Sequence, residues 1–547
     1  WEMYRIENVA LAFDTRSALL ARDIGDYYFN VEGSGQHDLV RAKSAYLEAL
    51  RRDPEIQRTH YQIGRIYFIE GDFKNALREI NVDVEVYDAC VGNDDDEYKN
   101  FFFNPTPLKS GLLRTGVSDD RILQMVKDFD FVGLTSIFSL QETMVLHCCR
   151  LIKKHFPEKI LFCGGVNARA RHNIFLDAGF DIVCTSESEL TIKKIMKVYR
   201  SGSTDWSSVP KILFKKDNKV INTAHLGDII WNLDELPMPA WDLLPNERYW
   251  EIRRPHGGHF KDDEELKYVS MMTSLGCPFA CSYCHIAHET KGSMSDEIGR
   301  FRIKSDERVL EELVYLRDVI GAKQVFVEDD SIFGMKRRAI NMLKKIIGVG
   351  LEILDVNGVN VIHLTKKGKP DVEVIELLAD AGFRDIVLPF ESANHRIVKK
   401  WCSNKWKVED FDVKNLVKEI KRVGMRVAAN YMVGFPDETE KEIKETIDFA
   451  KQNMSYGLDA SNFFLVMPLP GTPMFDEVMR NGQLPKDYNI DRMQWTKANM
   501  INTSIPPNKL EELRQQAWED CNLSDHIKNR KNWQINDTNT GEIHSAR

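Results

Sequence analysis

Among the 547 residues no apolar run approaches the roughly 18 that a membrane-spanning helix needs, so no bilayer span is expected. A concentrated basic face is also missing. Lys and Arg number 74 against 83 Asp and Glu, a formal charge of −9, and the one dense charge run is the acidic stretch 94–97. That distribution argues against a nucleic-acid surface. Cysteine is scarce: ten in a chain this long do not make the disulfide scaffold of a small secreted protein. No secretory signal is expected ahead of the fold, and a cytoplasmic setting follows from the cysteine usage. The chain opens at Trp1 rather than Met, so residues are expected to be missing before it.

What is present is a globular composition, 43% hydrophobic and 29% charged, in a chain long enough for two to four domains. Residues 1–80 read as helical. Ala42, Tyr46, Ala49 and Pro54 are followed at helical spacing by Gly64, Tyr67, Gly71 and Ala76. The small-residue position recurs after 34 residues, and the segment resembles one and a half tetratricopeptide repeats. Such repeats imply a protein partner, or a cap or dimer contact.

Over 81–200 short apolar strands ("VDVEVYDA", "FDFVGLTS", "KILFCGG", "FDIVCTS") alternate with amphipathic helices such as Glu142 to His155 and Ala168 to Ala178. This predicts a Rossmann-like parallel, doubly wound sheet. Its ligand side is the carboxyl end of the strands, where "TSIFSLQ", "GGVNAR" and "TSESE" fall. Residues 201–265 read as a linker, Ser/Gly-rich and then Pro-rich. Over 266–480 six strands alternate with helices, which predicts a partial (β/α)6 TIM-like barrel. Residues 481–547 form a helical extension with a polar tail.

The chemistry is concentrated after the first barrel strand, in "GCPFACSYC". Cys277, Cys281 and Cys284 supply three thiolates, whereas a cubane cluster takes four, so one iron stays open to a small chelating ligand. The alternative is a structural zinc site completed by His285 or His288, but the paired C-x2-C knuckles commoner in zinc sites are absent. The other strand ends carry Glu328, Asp329 and Asp330; Asn357 and Gly358; Glu391 and Ser392; "GFPDET" from Gly434; and "PLPGTP" from Pro468. In a barrel these ends share one rim with the cysteines.

The spacing C-x3-C-x2-C, with Tyr283 before the last cysteine, resembles the radical S-adenosylmethionine superfamily over about residues 267–476. That resemblance implies a 4Fe–4S cluster on the three cysteines and S-adenosylmethionine beside it. Tyr283 belongs to the same site. The acidic end of strand two (Glu328, Asp329, Asp330) would meet the amino group, Glu391 and Ser392 the ribose, and the turn of Gly434 and Pro436 the adenine. An external reductant, flavodoxin- or ferredoxin-like, is implied.

The α/β domain ahead of the barrel and the "LPMPAWDLLP" junction resemble the cobalamin-dependent class of that superfamily. By that resemblance Ser136, Phe138, Gln141, Gly164, Gly165 and Glu187 would line cobalamin. The D-x-H-x-x-G motif that supplies a histidine to cobalt elsewhere is absent, as it is throughout this class. Two departures stand out: no first strand ends in Pro-Pro, and a loop usually G-E-G-E reads "SESE". The implied reaction is methyl transfer to an unactivated carbon. The alternatives are a ring closure or oxidation on the same layout, or a tetratricopeptide binding protein with a degenerate barrel. Methylthiotransferases, with a second cluster on an N-terminal domain, do not match: Cys90, Cys148, Cys149, Cys163 and Cys184 lack their spacing, and mostly fall where Cys acts as a small hydrophobe.

Overall fold

The structure, a computed structural model, describes residues 84–107, 113–227, 229–253, 266–289, 293–295, 297–486, 488–490 and 493–522. The repeats expected over 1–80 and the polar tail lie outside the described residues. The chain divides into two compact units, Trp1–Tyr87 and Asp88–Arg547. No strand forms over the described part of "VDVEVYDA". Val84 and Val86 alternate with acidic residues as a strand would, yet both are exposed. Among the described residues nothing covers that face, and an uncovered apolar face gains nothing from being extended.

The second unit holds two main sheets. In the first, β1 (Phe131–Thr135), β2 (Ile160–Gly164) and β3 (Ile182–Cys184) are parallel and lie in chain order. Ile182 and Val183 are fully buried, as strands covered on both faces require. The helix expected from Glu142 to His155 is present with those bounds. The one expected over 168–178 is two helices, Val166–Ala170 and His172–Ala178, broken at Arg171.

The sheet departs from the parallel, doubly wound form expected. It gains two antiparallel strands, β4 (Ile212–Lys216) and β5 (Lys219–Asn222), from the stretch read as a linker. Asp217 and Asn218 join them, both at positive φ, in the two-residue turn that tight hairpins favour. Trp206, Trp241 and Trp250 are buried along the same stretch, so its described residues pack into the fold rather than tether it.

In the second sheet six strands run parallel and in chain order, as expected. They are β6 (Tyr268–Met271), β7 (Gln324–Val327), β8 (Glu352–Asp355), β9 (Phe383–Glu391), β10 (Arg426–Val433) and β11 (Ala460–Leu465). β10 alternates buried and half-buried residues along its whole length. Phe390, Tyr431 and Phe463 stack beneath the sheet's second half.

β6 and β11 do not pair with each other. The edge at β11 is covered instead by the C-terminal helix Pro507–Cys521. Its cap residue Asn522 accepts from Ser461 N at 3.0 Å and donates to Ser461 O at 2.8 Å, satisfying backbone that an open edge would leave unpaired. Among the described residues no helix is long and apolar enough to cross a membrane.

Candidate functional site

The cysteine loop follows β6 and is fastened from four sides. Gly276 N donates to Asp330 Oδ2 at 3.0 Å, Cys277 N to Gly299 O at 3.1 Å, and Ser282 N to Trp401 O at 2.8 Å. Ser282 O accepts from Met474 N at 3.0 Å. Those partners follow β7, β6, β9 and β11, so segments after four of the six strands meet this loop. Gly276 sits at φ +78°, and an added Cβ would lie 2.3 Å from Arg300 O, so only glycine fits the turn. Cys281 is buried and Cys277 and Cys284 are half-buried; none of the ten cysteines forms a disulfide. Burial pushes the Cys277 and Cys281 thiols up to about 11.

Three soft donors on one loop fit a cluster. A zinc site on the same cysteines would need His285 or His288 as its fourth ligand. His285 Nε2 is hydrogen-bonded to Pro470 O at 2.8 Å.

The acidic end of β7 separates into three environments. Asp329 is buried and accepts from Thr273 N at 2.6 Å, from Thr273 Oγ1 at 2.7 Å and from Ser274 Oγ, so it clamps the end of β6. Burial raises it above the usual carboxylate range. Asp330 takes the Gly276 N–H and is pushed up to about 6, mainly by burial. Glu328 accepts from Ser270 Oγ at 3.2 Å.

At the end of β9, Glu391 is a non-glycine residue at φ +56°. Its Oε1 accepts from Tyr283 OH at 2.8 Å and from Lys405, while its buried Oε2 has no partner. A strained backbone and an orphaned carboxylate oxygen together mark a group held ready for a ligand. Ser392, by contrast, is fully buried and turned inward to Thr446 Oγ1 at 3.1 Å.

After β10, Gly434 at φ +85° opens the turn that ends at Thr439, which forms a capping box with Glu442 on the helix Glu440–Ser455. Gly434 N and Phe435 N both donate to Glu438 Oε2, at 2.7 and 3.1 Å, and Pro436 O accepts from Gln483. Glu438 lies inside the "GFPDET" motif and has no partner on Oε1. Burial pushes it up to about 8.

A carboxyl raised on folding stabilises in its protonated form. Its contribution is present below about 4.5 and is lost as pH rises through about 8. Glu438→Gln keeps the acceptor oxygen and removes the titration. The urea midpoint of the variant should therefore gain on that of the wild type between about pH 5 and about pH 8. Parallel curves would show that Glu438 does not titrate in that window.

The carboxyl rim of the first sheet lies against this one. Arg169, buried and lowered to about 10 by desolvation, pairs with Glu289, the residue after His288 in the cysteine segment's continuation at 285–289. Arg302 pairs in the opposite sense with both oxygens of Glu187 and also donates to Ile230 O. Ala170 lies so close to Gly471 that a Cβ there would come within 2.8 Å of it. Of the six residues expected to line cobalamin, Phe138 and Gln141 are exposed at the rim. Gly165, at φ +103°, leaves no room for a side chain against Ser136 O. Gly164 is its neighbour at the end of β2, and Ser136 itself is buried against Asn167. Glu187 is held by Arg302. Asn167 Oδ1, Thr185 Oγ1 and Ser186 Oγ are buried without partners along the same rim. This donor and acceptor lining beside exposed Ile137 and Phe138 suits a large polar-edged ligand such as a corrinoid.

Sequence reasoning missed Lys405, Glu438, Arg169 and Arg302. Glu438 and Arg169 carried a signal, as members of the quoted motifs "GFPDET" and "GGVNAR"; Lys405 and Arg302 carried none.

Comparison with known proteins agrees with this geometry. The family model for the Radical SAM superfamily matches residues 271–450. An uncharacterised methyltransferase of Pyrococcus horikoshii is 30% identical over 387 residues, 70% of this chain and 75% of that protein. The cytidylyl-2-hydroxyethylphosphonate methyltransferase of Streptomyces wedmorensis is 25% identical over 438 residues, 74% and 78% of the two chains. Among solved structures, the cobalamin-dependent S-adenosylmethionine radical enzyme OxsB with aqua-cobalamin bound superposes with a TM-score of 0.59 at 13% identity, covering 78% of this chain and 65% of that one. The chain belongs to the radical SAM superfamily.

Proposed function

We propose that this enzyme is a cobalamin-dependent radical S-adenosylmethionine methyltransferase. The observation that carries the reading is the apposition of two carboxyl rims, one bearing three cysteines on a single loop, the other bearing orphaned polar atoms and exposed apolar side chains. The methyltransferase names of both sequence relatives, and the bound aqua-cobalamin of the structural one, support it. Bound in these places, a 4Fe–4S cluster supplies the electron that cleaves S-adenosylmethionine, and a corrinoid supplies the methyl group.

The protein's own residues position and enclose. Cys277, Cys281 and Cys284 hold the cluster as thiolates, which iron brings about by displacing their protons. Glu391 offers Oε2 to the ribose hydroxyls, with Tyr283 fixing its other oxygen. Glu328 and Asp330 face the amino group, while Asp329 and Ser392 brace the strand ends behind them. Backbone from Gly434 to Pro436 borders the adenine. Ser136, Phe138, Gln141, Gly164 and Gly165 border the corrinoid, and Glu187 steadies that rim through Arg302. The electron comes from a flavodoxin- or ferredoxin-like reductant, in keeping with a cytoplasmic setting.

The test is anaerobic reconstitution, desalting, and incubation with dithionite and methyl-labelled S-adenosylmethionine. Brown protein with about four irons per chain, retained corrinoid and 5′-deoxyadenosine is expected. Colourless protein overturns the cluster. Protein that makes 5′-deoxyadenosine but keeps no corrinoid overturns the methyltransferase reading in favour of a radical reaction without cobalamin.

A further inference from the structure

Lysine is almost never buried without a reason, because its ammonium loses hydration that a protein interior seldom replaces. Lys405 is one such lysine, and it lies beside the cysteine loop. Its side chain is 7% exposed and pairs with Glu391, 9% exposed. The turn that delivers it is built at a cost: Ser403 and Asn404, the two residues before it, both lie at positive φ, at 60° and 51°. Trp406 pins the other side by donating from Nε1 to Phe390 O at 2.7 Å.

The same turn grips the cysteine loop. Ala280 N donates to Ser403 Oγ at 2.9 Å, one residue before Cys281, and Ser282 N donates to Trp401 O one residue after it. Tyr283, next to Cys284, shares with Lys405 the single oxygen Glu391 Oε1. A fixed positive charge is thus tied to the cysteine loop at three points. Lys405 and Glu391 form an ion pair there, so the carboxylate that S-adenosylmethionine would meet does not face the loop as an uncompensated anion.

We propose that Lys405 is a positioning residue that raises the reduction potential of the cluster on Cys277, Cys281 and Cys284 by offsetting the charge of Glu391. This rests on the cluster reading above. Reduction adds one electron, taken from dithionite in the assay, to a site already carrying thiolate charge. A buried ammonium stabilises that added charge, and a lone buried carboxylate opposes it; net charge is one of the levers that set such potentials.

The experiment is an EPR-monitored redox titration of reconstituted full-length protein, with iron and sulfide measured on each sample. In Lys405→Gln the ratio of reduced to oxidised cluster at fixed potential is expected to fall about tenfold, which for a one-electron couple is about 59 mV. Lys405→Arg should titrate with the wild type, and Glu391→Gln should titrate above it. Iron-replete Lys405→Gln that titrates with the wild type overturns the proposal while leaving the cluster in place. Wild-type protein without iron or sulfide overturns the cluster reading itself. If Lys405→Gln fails to take up iron, Glu391→Gln decides: a higher midpoint supports the proposal, and an unchanged or lower one overturns it.

Discussion

Replacing Cys281 with alanine is expected to abolish iron retention and 5′-deoxyadenosine formation together. Of the three cysteines it is the buried one, and the backbone on both its sides is tied down by Ser403 and Trp401. With two donors left on the loop, cluster iron should fall from about four per chain towards none. The fold should survive, because removing one small buried sulfur costs only about 1 kcal/mol. Iron analysis, the visible absorption band and chromatography of the nucleoside read the outcome, with circular dichroism as the control on folding. A variant that keeps its iron and still releases 5′-deoxyadenosine would remove Cys281 from the site.

A comparably severe loss is expected from a single methyl group at Gly276. Its Cβ would meet Arg300 O at 2.3 Å and Gly299 O at 2.6 Å. Both are backbone atoms that cannot rotate aside. Gly299 O also receives the Cys277 N–H, and Gly276 N supplies the bond to Asp330, so relief of the clash must shift the first cysteine. Gly321→Ala is the matched control. It sits at nearly the same φ, +79°, but nothing lies within 4 Å of the added carbon. Both variants carry the left-handed penalty of about 1–2 kcal/mol. Only Gly276→Ala should lose iron and activity; equal iron content in the two would show that the loop tolerates the displacement.

Much of this was legible in the residues. The six strands after residue 266 carry apolar runs and the helices between them carry periodic faces, and those patterns depend only on near neighbours. The cysteine spacing is likewise local. The hairpin at 212–222 went unread because Lys216-Asp217-Asn218-Lys219 looks like a polar linker until Phe214 and Ile221 are known to face a core. "VDVEVYDA" failed for the opposite reason: its alternation is strand-like, but among the described residues nothing covers Val84 and Val86.

Site roles divide in the same way. The acidic triplet 328–330 was visible, but whether each carboxylate is free or committed depends on Thr273 and Ser274, more than fifty residues earlier. Lys405 had no signal at all. It sits among Lys399, Lys400 and Lys407 in the sequence, and only the two left-handed residues before it turn it inward.

The two ion pairs between the rims bear on how such an enzyme can be inherited or recombined. They are crossed: the first sheet's side gives an arginine at 169 and takes one at Glu187, while the second gives Arg302 and takes at Glu289. Exchanging either half for that of a relative without the matching partners would strand a buried cation and a buried anion at once. Each broken pair would cost about 3–5 kcal/mol, an appreciable part of the stability of a whole domain. The halves are modular in appearance, but they can change partners only if both charges move together.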